Sequence, residues 1–115
     1  MDIYEVLKQI RDNAEKINKH VRLIEDELKN NSVDIAEMTS SLNKKTMSYM
    51  ICIFHYNKIL ELVRETRPLA ISIADFNTLS QITIIESGAT DMVEKLKVIV
   101  QHTKDAAQMA SLMGI

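Results

Sequence analysis

The sequence predicts an all-α protein, an up-down bundle of three or four long helices with coiled-coil-like packing. Three observations carry this. Apolar residues fill 46% of 115 positions, enough to build a core for a single domain over 1–115. Two glycines and one proline are too few for the many turns of a β-sandwich or barrel. Apolar residues also recur at alternating steps of three and four over long stretches, the period of a helix face.

The first element is the clearest. Ile3, Leu7, Ile10, Ala14, Ile17, Val21, Ile24 and Leu28 form a heptad seam, with the isoleucines at d and the other four at a. The positions between them are mostly charged or amide side chains. A helix of about 25 residues, near 40 Å long, follows from that pattern. The stripe suits the core face of a bundle helix or a seam for another chain. Leu at a with Ile at d leans towards trimers or tetramers in a parallel coiled coil, a tendency that Ala14 and Val21 weaken.

"NNSVD" ends this helix. Asn30 and Asn31 suit its C-terminus, and Ser32 or Asp34 can cap the next one. A loop this short predicts an antiparallel hairpin. The second helix is expected from about Asp34 to Thr66. Its seam reads Ile35, Met38, Leu42, Lys45, Tyr49, Cys52, Tyr56, Ile59 and Val63, with Lys45 as the interruption. From Met47 onward a second stripe joins it: Met47, Met50, Ile51, Phe54 and Leu62. A helix apolar on most sides must be covered on more than one.

Pro68 in "ETRPLA" cannot continue a helix but suits the start of one, so a boundary is expected there. Ser72 with Asp75 three residues on marks an alternative start. A third helix over roughly Leu69–Glu86 carries Leu69, Ile73, Phe76, Leu79, Ile82 and Ile85. "QITIIE" has the β-branched content of a strand but no hairpin partner, and is assigned to the helix. Gly88 and the cap signal of Asp91 with Glu94 predict a fourth helix over Asp91–Leu112. Its seam is Met92, Leu96, Ile99, Thr103, Ala106, Ala110 and Met113. The alternative is one rod through Gly88, since a single helical glycine costs only about 1 kcal/mol.

The patterns that enzymes and cofactor proteins need are scarce in this chain. Net charge is −2, with basic residues interspersed among acidic ones, a poor footprint for nucleic acid. Lys45 and Lys58 bracket twelve uncharged residues, where a membrane-spanning helix needs about 20. The lone Cys52 cannot form an intrachain disulfide, which fits a cytoplasmic setting or secretion without disulfides. No signal peptide or prenylation pattern is expected from the chain as given.

Cys52 and His55 share one helix face but lack the third group that orients a catalytic histidine. None of His20, His55 or His102 follows an acidic residue by three positions, so the Glu-x-x-His pairs of di-iron bundles are missing. The zinc patterns and the glycine-rich phosphate loops are missing as well. No catalytic, metal or cofactor residue is assigned, and no cofactor is expected. Glu25, Asp26 and Glu27 read as a solvated charge run.

What remains is apolar surface. Seven methionines offer adaptable packing. "AAQMASLMGI" is uncharged and is expected to be tied down in a core or in another subunit. The expected function is a non-enzymatic protein–protein interaction module, an adaptor, chaperone or inhibitor. The alternative is a self-assembling subunit of an oligomer or filament. Candidate interface residues are Met47, Met50, Ile51, Phe54, Met109, Leu112 and Met113. The expected partner is another protein or a copy of the chain, with a homo-oligomer favoured.

Overall fold

The computed structural model describes residues 1–29 and 32–115. The ending expected at Asn30 and Asn31 lies outside these. Three long helices appear, with no strand among the described residues. They are α1 (Ile3–Lys29), α2 (Met38–Ser72) and α3 (Phe76–Leu112), with one 3₁₀ turn, Ile35–Glu37, before α2. Both α1 and α3 pack against α2, whereas their backbones stay apart from each other. The rod measures 63 × 20 × 18 Å.

Asp side chains cap α1, the 3₁₀ turn and α3, whereas Glu37 at the start of α2 makes no side-chain cap bond. Asp2 and Glu5 cap α1 reciprocally: the Glu5 N–H donates to Asp2 Oδ1 at 2.9 Å, and the Asp2 N–H to Glu5 Oε2 at 3.3 Å. Asp34, one of the two caps expected, accepts from the Ala36 N–H at 3.0 Å. Asp75 caps α3, accepting from the N–H and the hydroxyl of Thr78. Those bonds hold the Asp75 carboxyl below its ordinary range.

Two boundaries differ from expectation. α2 runs through Pro68 and ends six residues later than expected. Proline removes one helical hydrogen bond, but Pro68 is exposed, so water can reach the carbonyl it leaves free. The chain instead turns at Ile73–Asp75. There the Asp75 N–H donates to Ala70 O and the Ala74 N–H to Ile71 O, with Ala74 at φ 52°. This is a Schellman ending with alanine where glycine is usual. The separate helices over Leu69–Glu86 and Asp91–Leu112 are replaced by one rod, α3, which passes through Gly88. Nothing lies within 4 Å of a Cβ placed at Gly88, so the glycine neither serves a close approach nor ends the helix. The second Schellman ending closes α3: Ile115 N–H donates to Ala110 O and Gly114 N–H to Ser111 O, with Gly114 at φ 76°.

The core follows the middle of the rod. It comprises Ile17 and Ile24 of α1, Tyr49, Cys52, Ile59, Leu60, Leu62 and Val63 of α2, and Ile82, Ala89, Val93, Leu96 and Val100 of α3. Two seams are rotated from the expected register. α1 buries Ile17 and Ile24 of its d row together with Val6 and Asn13; Ile10 is half-buried, and Ile3, Leu7, Ala14 and Val21 are exposed. α3 buries Val93, Val100 and Ala107 where Ile99, Ala106 and Met113 were expected. Ile35, the first member of the α2 seam, is exposed on the 3₁₀ turn.

Candidate functional site

The apolar surplus of α2 lies on its outer side. Met47, Met50 and Phe54 follow one another at steps of three and four, so helical geometry places them in one row. Their exposures are 57%, 44% and 56%, which means that neither α1 nor α3 covers them. Ile51, in the same row, is half-buried. Leu62, further along that stripe, is fully within the core.

At the other end of the chain, Met109, Leu112 and Met113 are 61%, 80% and 68% exposed. The C-terminal segment is nevertheless fastened. Ala107 and Ala110 are buried, and the Ile115 carbonyl accepts from the Thr39 N–H at 3.0 Å. Met47 and Ile115 line the same shallow hollow at the start of α2, with Ala36, Thr39 and Asn43. Leu112 lines a second hollow that shares Thr39 and Asn43. The α2 row and the C-terminus thus border the same hollows, where Glu37, Ser40 and Lys44 lie beside Met47 and Lys104 and Gln108 beside Leu112.

The inner edge of the α2 row meets a polar seam that sequence reading missed. Along α1, Asn13, His20 and Glu27 recur every seven residues. Each meets a polar group of α2. Asn13 Nδ2 donates to Thr66 Oγ1 at 3.1 Å, and Thr66 in turn donates to Leu62 O at 2.7 Å. His20 and His55 bring their Nδ1 atoms within 3.0 Å. The Ser48 hydroxyl donates to Glu27 Oε1 at 2.8 Å. Phe54 packs edge-on against the His55 ring, centroids 5.4 Å apart, and Lys58 Nζ lies 5.5 Å above the Phe54 ring. So Glu27, expected as part of a solvated charge run, is half-buried and engaged, while Asp26 pairs with Lys29 at the surface.

Cys52 is completely buried, and burial, with a smaller push from Glu27, raises its thiol above the ordinary value. A thiol held protonated is a poor nucleophile. His55 is directed at His20 rather than at a catalytic partner. Among the described residues, no three His, Cys, Asp or Glu side chains converge on a point where they could hold a metal. No described helix is long and apolar enough to cross a membrane.

A cleft of about 240 Å³ separates α1 from α3 over the Thr66 end of α2. Ile10, Ala14, Ile82 and Ile85 form apolar walls, and Asn18 and Gln81 contribute amides. On the far flank of α2, Arg67 makes a two-pronged ion pair with Glu86, at 3.0 and 3.1 Å. The hydrogen bonds from Arg67 hold the Glu86 carboxyl below its ordinary value.

No protein-family model, no curated protein and no solved structure matches this chain.

Proposed function

We propose that this protein is a non-enzymatic interaction module that receives a partner helix on the outer side of α2. The observation that carries the reading is the exposed row Met47, Met50 and Phe54, in a helix whose other sides are already packed. Unbranched methionines around one aromatic ring suit a surface that adapts to an incoming apolar ridge.

The shape of the bundle leaves room for it. Its accessible surface is 7680 Å², about 1,300 Å² more than the ~6,400 Å² of a compact monomer of this mass. The rod shape accounts for that surplus, and it leaves ample area for an interface that takes about 800 Å² from each partner. Association of the chain with itself uses the same surface and is the competing reading.

The test is a comparison of the native chain with Met50→Glu/Phe54→Glu and with Met109→Glu, all three shown to be folded by circular dichroism. Recovery of a saturable, stoichiometric partner by the native chain and by Met109→Glu, but not by the α2 variant, supports the reading. Equal recovery by all three overturns it. A mass that rises with concentration for the native chain alone assigns the surface to self-assembly.

A further inference from the structure

We propose that His20 and His55 form a proton-sensitive clasp, which holds α1 on α2 while at least one ring is neutral and loosens α1, leaving α2 and α3 packed, when both rings are charged. The geometry is direct. The two Nδ1 atoms are 3.0 Å apart, so one must carry the proton and the other must offer its lone pair. A neutral pair satisfies this, and so does a pair carrying one extra proton. A doubly charged pair cannot, because two N–H groups then face each other across a hydrogen-bond distance.

Among the described residues, the charged groups that act on His20 do not offset the second charge. The charged neighbours that act on His20 are Lys19 on α1 and Lys58 on α2, both of the same sign. Glu27, one heptad along α1, is taken by Ser48. α3 packs on the other flank of α2 and contributes no group among the described residues. Burial first, then His55, then the two lysines hold the His20 imidazole below its ordinary value of 6.5. Its folded-state value is thus depressed. The docked form binds fewer protons than the undocked form, and its stability is fully present above about pH 6.5 and lost as the pH falls through the depressed value.

The location makes the effect local. The backbone of α1 approaches only that of α2, and α1 meets α3 through side chains of the shared core and around the cleft between them. Of its four fully buried residues one, Asn13, is polar. Loosening α1 therefore need not disturb the apolar α2–α3 seam.

Hydrogen exchange of the full chain, at about pH 7.5 and 5.5 with a chelator present and corrected for intrinsic rates, tests the clasp. Protection of α1 amides should fall several-fold relative to α3, since uptake of one proton on undocking, one pH unit below the ordinary value of 6.5, weakens docking by at most about tenfold. In His20→Gln that extra loss should vanish, because no second charge can form. In His102→Gln, on the exposed side of α3, it should persist. Parallel loss of protection in α1 and α3 of the native chain overturns the proposal, whether or not the variants fold. So does a selective α1 loss that survives in His20→Gln.

Discussion

The two seams of α2 are built on different principles. Towards α3 every fully buried residue contributed by α3 is apolar: Ile82, Ala89, Val93, Leu96, Val100, Ala107 and Ala110. Towards α1 the contact is punctuated each heptad by a polar pair, Asn13–Thr66, His20–His55 and Glu27–Ser48. Apolar burial is non-directional and roughly proportional to area, so the α2–α3 seam is the stronger of the two. Buried hydrogen bonds add little net stability, yet leaving one partner unmatched is costly. The α1–α2 seam therefore discriminates between registers more than it stabilises.

The ranking of the seams is most exposed at Leu96. Leu96→Ala should cost about 2–5 kcal/mol, the range for a buried leucine cavity, read by denaturant unfolding. Loss confined to α1 would invert the ranking. Next comes the buried amide. Thr66→Val leaves Asn13 Nδ2 without its acceptor and should cost about 1–3 kcal/mol. Asn13→Leu removes the donor, Thr66 still donates to Leu62 O, and the half-buried Gln9 amide that donates to Asn13 Oδ1 can turn to water, so the cost should be about 1 kcal/mol, below that of Thr66→Val. Equal costs for the two would show that the pair acts through packing alone. Ala74→Gly should gain about 1 kcal/mol, because the left-handed backbone that costs alanine is free to glycine. The smallest effect is expected at Gly88. Gly88→Ala should gain about 0.5–1 kcal/mol, with space for the added methyl. Both glycine exchanges should leave α1 protection unchanged.

Much of the fold was legible in the chain. The period-of-helix seams and the shortage of glycine and proline were enough for three or more long antiparallel helices. Asp34 could be read as a cap signal, because a cap is a local interaction between neighbours in sequence, whereas Asp75 was read as the third residue of a cap begun at Ser72 and is itself the cap of α3. The turn was harder. Pro68 is the strongest breaker in the chain, yet it lies inside α2, whereas the turn falls at Ala74, a residue with no turn signature. Tertiary packing on both flanks of α2 outweighs that one missing bond. The rotation of α1 was illegible for a different reason. The row Val6, Asn13, His20 and Glu27 looks like surface until Thr66, His55 and Ser48 are known to face it, from 21 to 53 positions away. The apolar row of α2 was visible as a surplus, but which members stay exposed depends on where α1 and α3 lie.

The length of the rod has a consequence in solution. Its radius of gyration is 18.5 Å, where a compact chain of this length has about 13 Å. A single 13.1 kDa copy experiences the drag of a heavier globule. It will leave a sizing column early, and its end-over-end tumbling will broaden amide resonances as a dimer would. Elution volume and linewidth alone would thus report an assembly even for a lone copy. Sedimentation equilibrium or light scattering, which weigh the particle irrespective of its shape, give the mass on which any statement about copies of this chain must rest.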